Sequence, residues 1–94
     1  KPYGHEIPKL LAEISSYQIT QLKADANNTQ LFTKRGKKIV SGYSLEIFND
    51  LCDEESFVRV NRSNLVMVSF IQNSSFEQNK ACVNLKNGDL LELP

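Results

Sequence analysis

The feature that most constrains this chain is its punctuation. Short alternating apolar and polar runs are cut every few residues by turn-forming sequences, and no nearly apolar run exceeds the seven residues from Leu65 to Ile71. A strand needs only about four to eight residues of alternation to present one buried face, whereas a core helix needs a longer 3.6-period stripe. Such a pattern predicts a domain of antiparallel hairpins. Ile19 to Ala24 alternates as a strand does, Gln30 to Thr33 resumes the pattern after Asp25 to Thr29 (DANNT), and Ile39 to Ser41 returns after KRGKK. Asx-rich DANNT is loop chemistry, because these side chains bond back to the local backbone, and Gly36 gives KRGKK the φ freedom a tight hairpin needs. Phe57 to Asn61, roughly Phe70 to Phe76, Lys80 to Lys86 and Leu90 to Leu93 read as further strands, the last two joined through Lys86-Asn87-Gly88-Asp89. Asn-Gly at that point predicts a type I′ turn.

One helix interrupts the strands. Ser44 stands at an N-cap position, and Leu45, Phe48, Leu51 and Cys52 share a face, with Glu46, Asn49, Asp50 and Asp53 toward water. A second short helix or turn is expected around Ser15–Ser16, and residues 1–8, with two prolines and a glycine, read as a linker. With 94 residues there is room for one thin core. With Lys1 in place of Met and Pro94 directly after a strand-like run, the chain is expected to be a piece of something longer.

Catalytic chemistry finds little material. The single histidine, His5, lies in the proline-flanked linker, and the acids crowd onto the helix and its exit as a solvated face. No nucleophile elbow or phosphate-binding glycine loop occurs among four glycines, so the chain reads as a non-enzyme without cofactor. Cys52 and Cys82 sit among apolar neighbours with no metal-ligand spacing around them, which predicts free, buried thiols in a reducing, cytoplasmic setting. No run approaches the ~20 apolar residues that cross a bilayer, so no membrane contact is expected of this segment.

The charge pattern says more than the net charge of zero. Residues 31–44 carry Lys34, Arg35, Lys37 and Lys38 and no acid; residues 45–56 carry five acids and no base; residues 57–63 add Arg59 and Arg62. Phosphate attraction acts within a Debye length of ~8 Å, so a neutral chain can still present a basic face. Two polar loops at strand ends, Asn27-Asn28-Thr29 and Asn61-Arg62-Ser63, carry side chains able to read bases: Asn suits adenine and Arg suits guanine. The same residues also cap ordinary turns. Parity helps with Arg62: if Val58 and Val60 enter the core, the strand must bulge or stop near Asn61, which frees Arg62 to project. Arg59, facing the other way, is expected to pair with the Asp53–Glu55 acids rather than with phosphate.

In this order, LKADANNTQLFTKRGKK, GYSLEIFNDL and FVRVNRSNLVMVSFI resemble the LytTR family of DNA-binding domains over about Ile7 to Pro94, most specifically at Phe57 to Val66. The resemblance implies a mainly β, elongated fold of small antiparallel sheets with one or two short helices, over a domain spanning 9–94. It implies double-stranded DNA as the partner, in the output domain of a bacterial transcriptional regulator, with loops rather than a recognition helix entering the grooves. It further implies an upstream receiver or sensor domain and a homodimer on direct-repeat half-sites. Carried over, the DNA-facing loops are Asn27, Asn28 and Thr29 and then Asn61, Arg62 and Ser63, with Lys34, Arg35, Lys37 and Lys38 lending attraction. The family's third contact follows the equivalent of Leu93-Pro94. Asn61 stands where the family usually has His, Met67 where Asn is frequent and Tyr43 where Arg is frequent; the first and third changes each remove a basic group. The competing class is a β-rich protein-interaction module without DNA binding.

Overall fold

The computed structural model describes residues 18–94, so the linker and the turn expected at Ser15–Ser16 lie outside the described residues. Eight strands and one helix follow in the order β1 (Ile19–Asp25), β2 (Asn28–Thr33), β3 (Lys38–Ser41), α1 (Leu45–Leu51), β4 (Phe57–Asn61), β5 (Asn64–Met67), β6 (Ile71–Glu77), β7 (Lys80–Leu85) and β8 (Leu90–Glu92). Two antiparallel sheets result, one in the order β3-β2-β1-β5-β4 and one in the order β6-β7-β8. Overall dimensions are 44 × 24 × 23 Å, an elongated molecule.

The two sheets are joined by the apolar run Leu65 to Ile71. It is too short for a long strand, and it breaks into β5, a single 3-10 turn at Val68–Phe70 and the start of β6. β5 then serves both halves of the interior, because successive side chains of a strand point to opposite faces. Leu65 joins Ile19, Leu22, Leu31, Leu45 and Phe48 beneath α1, while Val66 joins Val60, Val83 and Leu85 toward the three-stranded sheet. The helix buries the face expected of it, with Leu45 and Phe48 inside and Leu51 and Cys52 packed against the same cluster. Ser44 occupies the N-cap position, yet its side chain makes no capping bond.

The turns depart from expectation in instructive ways. At Asn87-Gly88 only Gly88 is left-handed, with φ 93°. Its N–H donates to the Leu85 carbonyl at 3.0 Å while the Leu85 N–H donates to Asp89, making a three-residue loop rather than a type I′ turn. The Asn87 side chain accepts from the Asp89 N–H at 2.9 Å, which holds Asn87 out of the left-handed region. Residues 33–37 repeat that pattern, with Gly36 at φ 86° donating to Thr33 and the Thr33 N–H donating to Lys37. A β-turn followed by a left-handed glycine is the usual three-residue hairpin. The two-residue loop with both φ positive occurs instead at Gln78-Asn79, where the sequence promised only a polar bend.

Candidate nucleic-acid interface

The register of β1 decides how the two polar loops lie. β1 pairs with β2 on one side and with β5 on the other, with Asp25 opposite Asn28 and Lys23 opposite Asn64. The β1–β2 turn and the β4–β5 turn therefore sit at the same end of the five-stranded sheet. A direct link joins them: the Ala24 N–H donates to the Ser63 carbonyl at 2.8 Å. Asn27, Asn28 and Arg62 are all exposed there.

The first corner is tighter than the expected loop. Asn28 and Thr29 belong to β2, leaving a two-residue turn at Ala26-Asn27 with Ala26 at φ 54°. Thr29 has to be removed from the DNA-facing set. Its side chain is completely buried, and its hydroxyl donates to the Tyr43 carbonyl at 2.8 Å, tying β2 to the approach of α1. Strand alternation is the reason: with Asn28 on the open face, Thr29 must point inward.

In the second corner, β4 and β5 join through Arg62-Ser63, with Asn61 opposite Asn64 and a register shift between Arg59 and Asn61. The bulge falls where Arg62 required it. Val60 is buried, though Val58 is exposed rather than in the core. Asn61 is half-buried and occupied: its Oδ1 accepts from the Ser63 N–H and from Asn64 Nδ2, both at 3.0 Å, and its Nδ2 donates to the Glu92 carbonyl at 2.8 Å. Buried Asn64 in turn accepts from buried Gln21 at 2.8 Å. This amide chain satisfies polar groups that would otherwise be costly to bury. It also makes Asn61 a holder of the turn, with both atoms of its amide bonded within the fold. Ser63 is half-buried, its N–H and carbonyl both spent within the fold.

Arg59 is paired with an acid, but the partner is Glu46 of α1, at 2.8 Å, in place of the Asp53–Glu55 group. Its Nε also donates to the Asn61 carbonyl at 2.8 Å, and its Nη2 to the Arg62 carbonyl at 2.6 Å. The hydrogen bond from Arg59, and then its charge, hold the Glu46 carboxyl below the usual range. Arg62 itself is exposed and its side chain carries no ion pair or hydrogen bond among the described residues. Beside it, Glu92, Leu93 and Pro94 line an open groove with Asn61 to Asn64, so the residues after which the resemblance puts a third contact run along this corner.

The basic quartet does not join the corners. Ile19 lies opposite Thr33 at the far end of β1, and the Lys34 N–H donates to the Gln18 carbonyl, which sets the 33–37 hairpin at the other end of the sheet. Five residue steps of β2 separate Asn28 from Thr33, roughly 17 Å of strand, about twice the Debye length. Lys34, Arg35, Lys37 and Lys38 are exposed there. The attraction expected of these four side chains would therefore act from the far end of the sheet.

A family model for the LytTr DNA-binding domain matches residues 11–93. This chain belongs to the LytTR family. Its fold is shared with a solved structure, the LytTr DNA-binding domain of a response regulator from Bacillus cereus, at TM-score 0.68 and 23% identity over 80% of this chain and 69% of that one. A search of curated proteins found no match. For a LytTR domain the mainly β architecture of two antiparallel sheets and one helix is the expected one, and among the described residues no helix is long and apolar enough to span a membrane. Neither cysteine forms a disulfide among the described residues. Burial pushes the Cys52 thiol up to about 11, and Cys82 is buried in the other sheet.

Sequence reasoning missed the roles of Gln21, Asn64 and Glu46. Gln21 meets Asn64 across 43 positions, a distance no local pattern reports. Glu46 reads as part of a solvated face, and only the placement of α1 against β1 and β5 brings it within reach of Arg59.

Proposed function

We propose that this LytTR domain binds double-stranded DNA with sequence preference, as the output domain of a bacterial cytoplasmic transcriptional regulator. The observation that carries the reading is the pairing of two polar corners at one sheet end, with Arg62 projecting unpaired and Asn27 and Asn28 exposed beside it. Arg62 offers two parallel donors to the O6 and N7 of guanine, and Asn28 matches the donor and acceptor of adenine. Ser63 is left with its hydroxyl for a base edge or a phosphate. An upstream receiver or sensor domain, and a homodimer on direct-repeat half-sites, complete the reading.

The test is enrichment of a randomised duplex pool on the wild-type chain, followed by affinity measurements on the enriched duplex and on random duplex. Arg62→Ala should weaken the enriched duplex by ~1–3 kcal/mol and relax preference at one base position. Recovery of no preferred duplex, with clean flow-through on heparin at low salt, would instead favour a protein-binding module.

A further inference from the structure

The β4–β5 corner is not held by its own turn geometry. A two-residue hairpin normally uses positive φ values that follow the twist of its strands, and turns with negative φ splay them. Neither Arg62 nor Ser63 has positive φ. Side chains hold the turn instead: within it the Asn61 Oδ1 accepts from the Ser63 N–H, and from outside it the Asn61 and Arg62 carbonyls accept from Arg59 and the Ser63 carbonyl accepts from the Ala24 N–H. Arg59 thereby grips two consecutive carbonyls of the corner, and through Glu46 it fastens them to α1.

We propose that Arg59 is a positioning residue for the DNA site: its guanidinium fixes the Asn61–Arg62 backbone so that the Arg62 side chain leaves the corner in one direction. The inference rests on the DNA-binding reading above. Two physical points carry it. First, a planar guanidinium offers several donors in a fixed fork, so one group can satisfy two carbonyls and a carboxylate together; a lysine ammonium on a flexible stem cannot hold that arrangement. Second, the Arg59 charge is already matched by Glu46, and its Nε and Nη2 are committed to the Asn61 and Arg62 carbonyls and to that carboxylate, so the side chain is spent within the fold rather than offered to phosphate. Arg59 affects which duplex is preferred, through Arg62, and leaves general attraction to DNA alone. Preorganisation of this kind raises affinity by removing the ordering cost at binding.

The experiment uses Arg59→Lys, which keeps the charge, beside Arg62→Ala and Glu46→Gln. Amide hydrogen exchange at Ser63 and Asn64 is read in the free protein, and affinity is read on the enriched and random duplexes. Arg59→Lys should accelerate exchange at both amides and weaken the enriched duplex about tenfold, while random duplex changes less than about twofold. Arg62→Ala should lose preference with exchange unchanged. Glu46→Gln, altering an exposed partner that leaves the fold intact, should give a smaller shift of the same kind as Arg59→Lys. An equal loss on both duplexes with Arg59→Lys would make Arg59 a phosphate contact and overturn the inference. So would unchanged exchange with preference retained. If the wild-type chain enriches no duplex, the DNA reading itself fails, an outcome separate from either of these.

Discussion

At the scale of single residues, alternation and local bonding decide which polar side chains remain available for a partner. Asn28 and Thr29 are neighbours of similar polarity, yet one is exposed and the other is sealed beneath Tyr43, because a strand cannot show two successive side chains on one face. Ala26 takes a left-handed conformation that costs an alanine about 1–2 kcal/mol. Ala26→Gly should therefore raise stability by up to about 1 kcal/mol in denaturant unfolding, after the larger chain entropy that glycine adds to the unfolded state; a loss of stability would mean the turn is not as described. Glu46 gives a pH-dependent case. Its carboxyl is held below the ordinary value of 4.5 in the folded chain, so its pairing with Arg59 stabilises the fold above that pH and is lost as pH falls through the folded value. Thermal melts should place wild type above Glu46→Gln at pH 7, with the gap narrowing once the pH is taken well below the ordinary value of 4.5. An equal gap at both ends of that range would show that the pairing is not ionic.

At the scale of elements, hairpins act as rulers that fix where charges lie. β2 is six residues long, and its length alone sets the basic hairpin at the opposite end from Arg62. Neutralising Lys34 and Arg35 together should change the slope of log K against log salt by less than about 0.5, whereas two true phosphate contacts would remove about 1.8. A large drop in slope would bring the quartet back into the interface. The turn types followed a similar logic. Asn87-Gly88 was expected to form a two-residue turn on its dipeptide, but the Asn87 side chain bonds forward to Asp89, and the loop takes three residues. Most element boundaries were legible: β4 matches its expected range and the other expected strands and the helix differ by one or two residues at their ends, but β5 lay hidden in the apolar run Leu65 to Ile71, which has no alternation to mark a strand.

At the scale of the whole molecule, β5 makes one folding unit out of two cores. Leu65 belongs to the cluster under α1 and Val66 to the cluster under the three-stranded sheet, so loss of either side removes the support of the other. Phe48→Ala in the first cluster should cost about 3–5 kcal/mol and Leu85→Ala in the second about 2–5 kcal/mol. In both variants a helix signal and a probe in β7 should lose structure at the same denaturant concentration; separate transitions would show that the halves fold independently. The same architecture keeps the cysteines apart, with Cys52 on the helix side of the large sheet and Cys82 in the small one. The sequence by itself determined the order of every described strand but β5, the amphipathic helix after Ser44, the need for a bulge near Asn61 and the family, because each rests on alternation, turn chemistry or local motif, which act over a few residues. Only the tertiary structure decided that Thr29 and Asn61 serve the scaffold, that Arg59 answers to Glu46, and that the basic hairpin and the polar corners stand at opposite ends. Those outcomes depend on strand register and on contacts between distant positions, where shifting the pairing by a single residue turns every side chain to the other face.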